Sequence, residues 1–153
     1  MNRSPVRAPG KKENGLLVLT QIRPGAGPDE EWHALVRFAH LIFPRSRIDT
    51  GRDHVFITAA CEGRLVGFSH IRPTKKGACI RGIGVRPGWR GRGVGTQLLR
   101  QSLDLCGREF PGRKIVLKVK AANEEALRLY ARHGFVLTKS DGDVHTLARR
   151  APN

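Results

Sequence analysis

The run Val85-Arg86-Pro87-Gly88-Trp89-Arg90-Gly91-Arg92-Gly93-Val94-Gly95 leaves an apolar, β-prone stretch and opens a helical one. The first turn of a helix carries unpaired N–H groups and the positive end of the helix dipole, so it attracts phosphate oxygens. Glycine lets the backbone approach a pyrophosphate with no Cβ in the way. Arg90 and Arg92 add charge to the rim. The chemistry is that of an anion cradle. A Walker loop is excluded, because no Gly-Lys-Ser/Thr follows. The Rossmann fingerprint fits poorly: glycines at 91, 93 and 95 lack G-x-G-x-x-G spacing, and the strands ahead form a meander.

A second segment, Asn123-Glu124-Glu125-Ala126-Leu127-Arg128-Leu129-Tyr130-Ala131-Arg132-His133-Gly134-Phe135, reads as a helix capped by Asn123 and stopped by Gly134. Tyr130 shares a face with Ala126 and Leu129, which suits a core tyrosine. A phenol of pKa about 10 is equally a proton donor for a thiolate leaving group. By residue pattern both readings stand.

The pair V-x-P-x-x-R-x-x-G-x-G and then N-x-x-A-x-x-L-Y-x-x-x-G-F resembles the GNAT superfamily of N-acetyltransferases. The motifs carry the resemblance from Leu65 to Phe135, and element order alone extends it to the N-terminal third. It implies acetyl-coenzyme A as co-substrate, with no metal. The pantetheine arm is expected between two splayed parallel strands, against Ile83, Gly84 and Val85. The pyrophosphate is expected on the amides of Arg90, Gly91, Arg92, Gly93, Val94, Gly95 and Thr96, with Asn123 touching the cofactor and Tyr130 facing the sulfur. A backbone N–H near Val85 is the expected oxyanion donor. The implied reaction is direct attack by a primary amine in a ternary complex. Alternatives are a protein N-terminal or ribosomal-protein acetyltransferase, or a catalytically weak acyl-coenzyme A-binding module.

The general base is where the pattern departs. Family members often carry a carboxylate at the position held here by Cys79, or a Glu in an L-E-V run that here is Leu117-Lys118-Val119. His70, with an unperturbed pKa of about 6.5, is the candidate base. His54 and Glu62 are weaker candidates, and a water relay stays open. Between Glu62 and Asp104 there is no acid but nine Lys or Arg. A polycationic acceptor is therefore disfavoured. The expectation is a small amine that also bears a carboxylate or phosphate, or a protein terminus on an acidic or RNA-bound partner.

These residues need a scaffold, and 153 residues with 39% apolar content can build one domain. Residues 1–15 read as a flexible basic tail and 16–150 as a single N-acetyltransferase domain. Leu16 to Ile22 reads as a strand and Pro28-Asp29 as a helix start, with Trp32, Leu35, Val36, Ala39 and Phe43 on one face. Val55 to Cys61, Leu65 to Ile71 and Ala78 to Val85 form a meander, turned at Glu62-Gly63-Arg64 and ended at Arg72-Pro73. A helix follows the glycine loop, then a strand from Lys114 to Val119, the Asn123 helix and a closing hairpin around Asp141-Gly142. The fold class is α/β (α+β): a mixed, largely antiparallel sheet with a central parallel β-α-β pair and flanking helices. Cys61, Cys79 and Cys106 lie in apolar runs and read as small buried hydrophobes, which points to a reducing, cytoplasmic setting. The formal charge of +15 favours anionic partners, which leaves ribosome or nucleic-acid association open, although no nucleic-acid motif accompanies it. No membrane span is expected, and the chain is expected to be a monomer or homodimer.

Overall fold

Turn chemistry sets where the chain reverses. Glu62 and Gly63 have φ of 51° and 79°, the two positive values that a tight two-residue hairpin needs to match strand twist. The computed structural model describes residues 3–7, 16–25, 29–48, 51 and 53–153. In chain order it contains β1 (Arg3–Arg7), β2 (Leu16–Ile22), α1 (Asp29–Ile42), β3 (Val55–Cys61), β4 (Arg64–Thr74) and β5 (Gly77–Val85). A short 3-10 turn (Pro87–Trp89) leads to α2 (Val94–Glu109), β6 (Lys114–Lys120), α3 (Glu124–Arg132), β7 (Val136–Asp141) and β8 (Val144–Arg150). The strands form one sheet in the order β1-β2-β3-β4-β5-β6-β8-β7. Only β5 and β6 run parallel among the described pairs, joined by α2 as the crossover. The expected mixed, mainly antiparallel architecture is therefore present.

Two elements differ from the sequence expectation. Arg3–Arg7, read as part of a tail, pairs antiparallel with β2 from Arg3↔Thr20 to Arg7↔Leu16. Residues 8–15 of that tail, and Pro28, lie outside the described residues. The second difference is that Pro73 does not end β4, which continues to Thr74 and pairs Pro73 with Ala78. The neighbour on the other side, β3, stops at Val55↔Ile71. Pro73 thus sits on a locally bare edge, where a missing N–H breaks no ladder bond.

Helices cover both sheet faces. On one face α2 buries Leu98, Leu99 and Leu103 with Val66, Ile80, Ile115 and Leu117. On the other, α1 buries Leu35, Phe38 and Ala39 against Phe56 and Phe68. Each such side chain contributes roughly 1.5–3 kcal/mol on leaving water. Close docking of α2 depends on Gly67, where a Cβ would lie 2.9 Å from Leu98 Cδ1. Beneath the helix, the Ser69 and Ser102 hydroxyls pair at 2.7 Å and Ser102 also bonds the Leu98 carbonyl at 2.8 Å. Cys61 and Cys106 are buried and Cys79 half-buried, all as free thiols. Burial pushes the Cys106 thiol up to about 12, so it is an inert apolar filler at neutral pH.

The parallel pair is short. It runs from Gly77↔Lys114 to Ile80↔Leu117 and then stops, although both strands continue. A β-bulge coincides with the parting: His70 pairs with Gly82 and Ile71 with Ile80, leaving Arg81 as the extra residue. Bulges sharpen local twist, and this one turns β5 away from β6. Gly77 starts the pair at φ 152°, and a Cβ there would lie 2.1 Å from the Lys114 carbonyl oxygen. Gly77→Ala is expected to lower unfolding stability by on the order of 2 kcal/mol or more, measured by denaturant titration. The Ala variant of the open-turn Gly88, where a Cβ meets nothing within 4 Å, serves as the control.

Candidate active site

The gap between the two parted strands is lined by backbone. The Arg86 amide donates to the Val66 carbonyl at 2.8 Å. Bonded and outward-facing pairs alternate along an antiparallel ladder. Val85, opposite Gly67, and Ile83, opposite Ser69, consequently turn their N–H and C=O groups away from β4 and into the gap. The Arg86 side chain pins this exit, donating from Nε and Nη2 to the Leu65 carbonyl at 3.0 and 2.9 Å.

At the end of β5 the chain makes its 3-10 turn and enters α2. Gly93 is the N-cap at φ 84°, ψ 6°, a left-handed conformation that favours glycine. It supplies no side-chain cap, and the first turn of α2 carries no acid. The Gln97 amide closes the first bond to the Gly93 carbonyl at 3.0 Å, so the amides of Gly95 and Thr96 precede any intrahelical acceptor. The N-terminus of α3 is the internal contrast. There the Asn123 side chain accepts from the Ala126 amide at 3.2 Å, and Glu124 and Glu125 complement the dipole. One helix start is closed by its own residues, and the other is left for an external anion.

Two cavities flank these elements and meet. The first, about 460 Å³, runs along Ile83, Gly84 and Val85 to Arg90, Gly91, Gly93, Val94, Gly95 and Thr96. The second, about 570 Å³, opens on the other side of the gap and is bordered by the α1 exit at Phe43 to Ile48, by His70 and Arg81, and by Lys118 to Lys120. Phe43, Ile83, Asn123, Ala126 and Tyr130 line both. Asn123 and Tyr130 thus bring the polar side chains to the junction, and Tyr130 is held on α3 by edge-to-face packing on Phe135 at 5.8 Å. It is 8% exposed, and burial raises its phenol above the ordinary value. Among the described residues no enclosed side-chain nitrogen or oxygen lacks a partner. The Tyr130 hydroxyl bonds no protein group among the described residues, and the side chain lines both cavities.

The sequence-predicted residues fall into place unequally. Ile83 through Val85, the amides of 93–96, Asn123 and Tyr130 come together at the first cavity. Arg92 does not line the cavity, and its guanidinium stacks on Trp89 at 4.8 Å. Asn123 spends its side-chain oxygen on the helix cap, leaving its amide nitrogen for a ligand. Glu62 is corrected as a candidate base: it sits in the exposed β3–β4 turn and lines neither cavity. Cys79, opposite Val116 in the intact part of the ladder, lines neither.

His70 does border the second cavity, and the structure adds a partner that sequence reading missed. His54 Nδ1 and His70 Nε2 lie 2.8 Å apart, both side chains buried, with the His70 ring stacked on Phe56 at 4.1 Å. The exposed Asp53 carboxylate lies 4.0 Å beyond His54 Nε2. The residues meet because Phe56 pairs with His70 across β3 and β4. Two histidines flanking a predicted hairpin were the available signal, but the register was needed to join them.

Residues 20–135 match the family model described as the Acetyltransferase (GNAT) family. The chain belongs to that family. Among curated relatives, an N-alpha-acetyltransferase RimI of Mycobacterium tuberculosis is 36% identical over 84 residues, 52% of this chain and 51% of the relative. The L-amino acid N-acetyltransferase AaaT of Escherichia coli is 30% identical over 83 residues, 52% and 51% respectively. The chain thus spans about half the length of the curated relatives it matches. Among solved structures, Escherichia coli ElaA superposes with a TM-score of 0.74 at 21% identity, over 87% of this chain and 99% of that one. That likeness concerns the fold.

GNAT acetyltransferases use acetyl-coenzyme A, and the first cavity suits its shape: a strand edge for the pantetheine amides, then free helix-start amides for the diphosphate. Gly95 tests this, because its Cβ position has ordinary contacts at 3.7 Å to Leu129 and 3.8 Å to Val85, so only a longer side chain intrudes. Gly95→Leu is expected to weaken coenzyme A binding by about tenfold or more in calorimetry, equal to about 1.4 kcal/mol. The unfolding midpoint should stay within a few degrees.

Proposed function

We propose that this protein is an N-acetyltransferase that moves the acetyl group of acetyl-coenzyme A to a primary amine by direct attack in a ternary complex. The observation that carries the reading is the junction at Tyr130, where a cofactor-shaped cavity and a second, differently lined cavity share one phenol. The amine nitrogen attacks the thioester carbonyl, a C–N bond forms, the C–S bond breaks, and the electron pair leaves on sulfur. Tyr130 donates its proton to that sulfur. Its raised pKa keeps it protonated through neutral pH and stops it acting as a base. The Val85 N–H, aimed into the gap, is a preorganised donor for the carbonyl oxygen as it gains charge. His70 takes the proton from the amine, and the His54–His70 hydrogen bond orients its ring. Asp53 and bulk water receive the proton on the far side.

The three unpaired thiols and the cofactor suit a cytoplasmic enzyme. Among the described residues no helix is long and apolar enough to cross a membrane. The RimI relative supports a second reading, acetylation of a protein N-terminus. A further alternative, a binding module without turnover, is what acetyl-coenzyme A stabilisation without thiol release would indicate.

Thiol release with an amine panel is the decisive assay. Tyr130→Phe is expected to lower kcat by about 100-fold or more while acetyl-coenzyme A still raises the melting temperature. Normal turnover in that variant removes Tyr130 from the acid role. In the wild type the alkaline limb belonging to Tyr130 should fall above the ordinary phenol value, because burial raises it. His70→Gln should cost about 100-fold in kcat/KM. His54→Ala, which removes the hydrogen bond that orients the His70 ring, should lower kcat/KM by a smaller factor. Unchanged kcat/KM in both variants refutes the pair.

A further inference from the structure

The second cavity carries a cluster of positive charge whose placement follows from backbone geometry. Ile80 and Leu117 are the last partners of the parallel ladder. The residues that follow them, Arg81 on β5 and Lys118 on β6, are the first on each diverging arm. On β6 the alternation is regular: Ile115, Leu117 and Val119 enter the core under α2, which turns Lys118 and Lys120 to the opposite face. On β5 the bulge achieves the same result. Ile80 and Ile83 both pack toward the α2 core, so the two residues between them, Arg81 and Gly82, face the cavity. At Gly82 a Cβ would find only Phe43, at 3.7 Å, which leaves room beside the guanidinium. Arg47 approaches from the chain leaving α1.

No carboxylate lines this cavity among the described residues, and Arg81, Lys118, Lys120 and Arg47 make no ion pair there. Cations converging in a cleft with apolar walls focus positive potential and select anions. A polyamine would meet repulsion at the same point.

We propose that the acceptor is a small amine bearing an anionic oxygen group, carboxylate or phosphate, and that Arg81 and Lys118 hold that group at the fork of the two strands. The amine end then lies toward Tyr130 and His70. This rests on the N-acetyltransferase reading and names its substrate class. An Arg fork and a Lys point charge suit an oxyanion and have no use for a neutral or cationic tail.

The test is thiol release by the full chain with paired acceptors: free amino acids against their methyl esters, phosphoethanolamine against ethanolamine, and spermidine. The expected result is a kcat/KM about tenfold or more higher for the anionic member of at least one pair, the worth of one charge-assisted hydrogen bond. The pair showing the larger ratio identifies carboxylate or phosphate as the source. In Arg81→Gln and Lys118→Gln that ratio should collapse toward one, chiefly through KM, and Lys118→Glu should shift preference toward spermidine. Lys139→Gln, on the exposed β7, should leave every ratio unchanged. Acetylation of the neutral members or spermidine with equal or greater efficiency overturns the proposal and spares the enzyme reading. Acetyl-coenzyme A stabilisation with no thiol release from any amine overturns both.

Discussion

The site exists because one ladder of hydrogen bonds is cut short while its neighbours are not. After Ile80↔Leu117 the parallel strands part, yet β5 stays paired with β4 as far as Val85 and β6 stays paired with β8 through Lys120. The cost is thus confined to the inner backbone groups of two short segments. An enclosed amide or carbonyl without a partner costs about 1–3 kcal/mol, so the inner groups other than the Val85 carbonyl, which accepts from Arg90 Nε at 3.4 Å, are left for water or a ligand. A ligand with its own amides fits that vacancy as a strand would, and the fork gives it a defined register. The outer pairings keep the fork open when nothing occupies it, so binding does not have to part the strands.

The bulge at Arg81 links this backbone event to electrostatics. One inserted residue turns β5 away from β6 and also sets a guanidinium on the face that the regular pleat gives to Lys118. The sheet therefore divides the charge chemistry by side and by end. The proposed diphosphate site is the uncapped start of α2, whose own first turn carries no acid, with Glu125 of α3 on the far wall of the same cavity. The opposite cavity is lined by four cations, with no carboxylate beside them among the described residues. Between them lies Tyr130, a phenol that is protonated at neutral pH and whose pKa burial raises further.

Much of this was legible in the residues, for physical reasons that differ by element. The meander, the crossover helix and the closing hairpin are local patterns: apolar period, turn glycines, an Asn cap. The glycine loop and the Asn123–Tyr130 segment were legible because each needs particular residue types at fixed offsets. The parting of the strands came from the family resemblance alone, since nothing in Ile80-Arg81-Gly82 announces a bulge. Pro73 misled because proline reads as a strand end until it is known that β3 has already finished. Strand β1 was illegible because a five-residue basic segment becomes a strand only through its partner β2. The His54–His70 contact depends on hairpin register, including the irregularity between Ala59 and Ala60, which sequence does not reveal.

That last contact bears on how a member of this family works without the carboxylates expected at Cys79 and Lys118. A carboxylate on the β6 arm would place negative charge where this chain places Lys118, and would neutralise the fork. The two features are mutually exclusive: a cavity that holds an anion between Arg81 and Lys118 cannot also keep an acid there as base. In the proposed mechanism, proton acceptance by His70, on the next strand over, avoids the conflict, because a neutral imidazole adds no charge to the anion subsite. Under that proposal, acceptor charge and choice of base are linked through the sign of one residue at the fork.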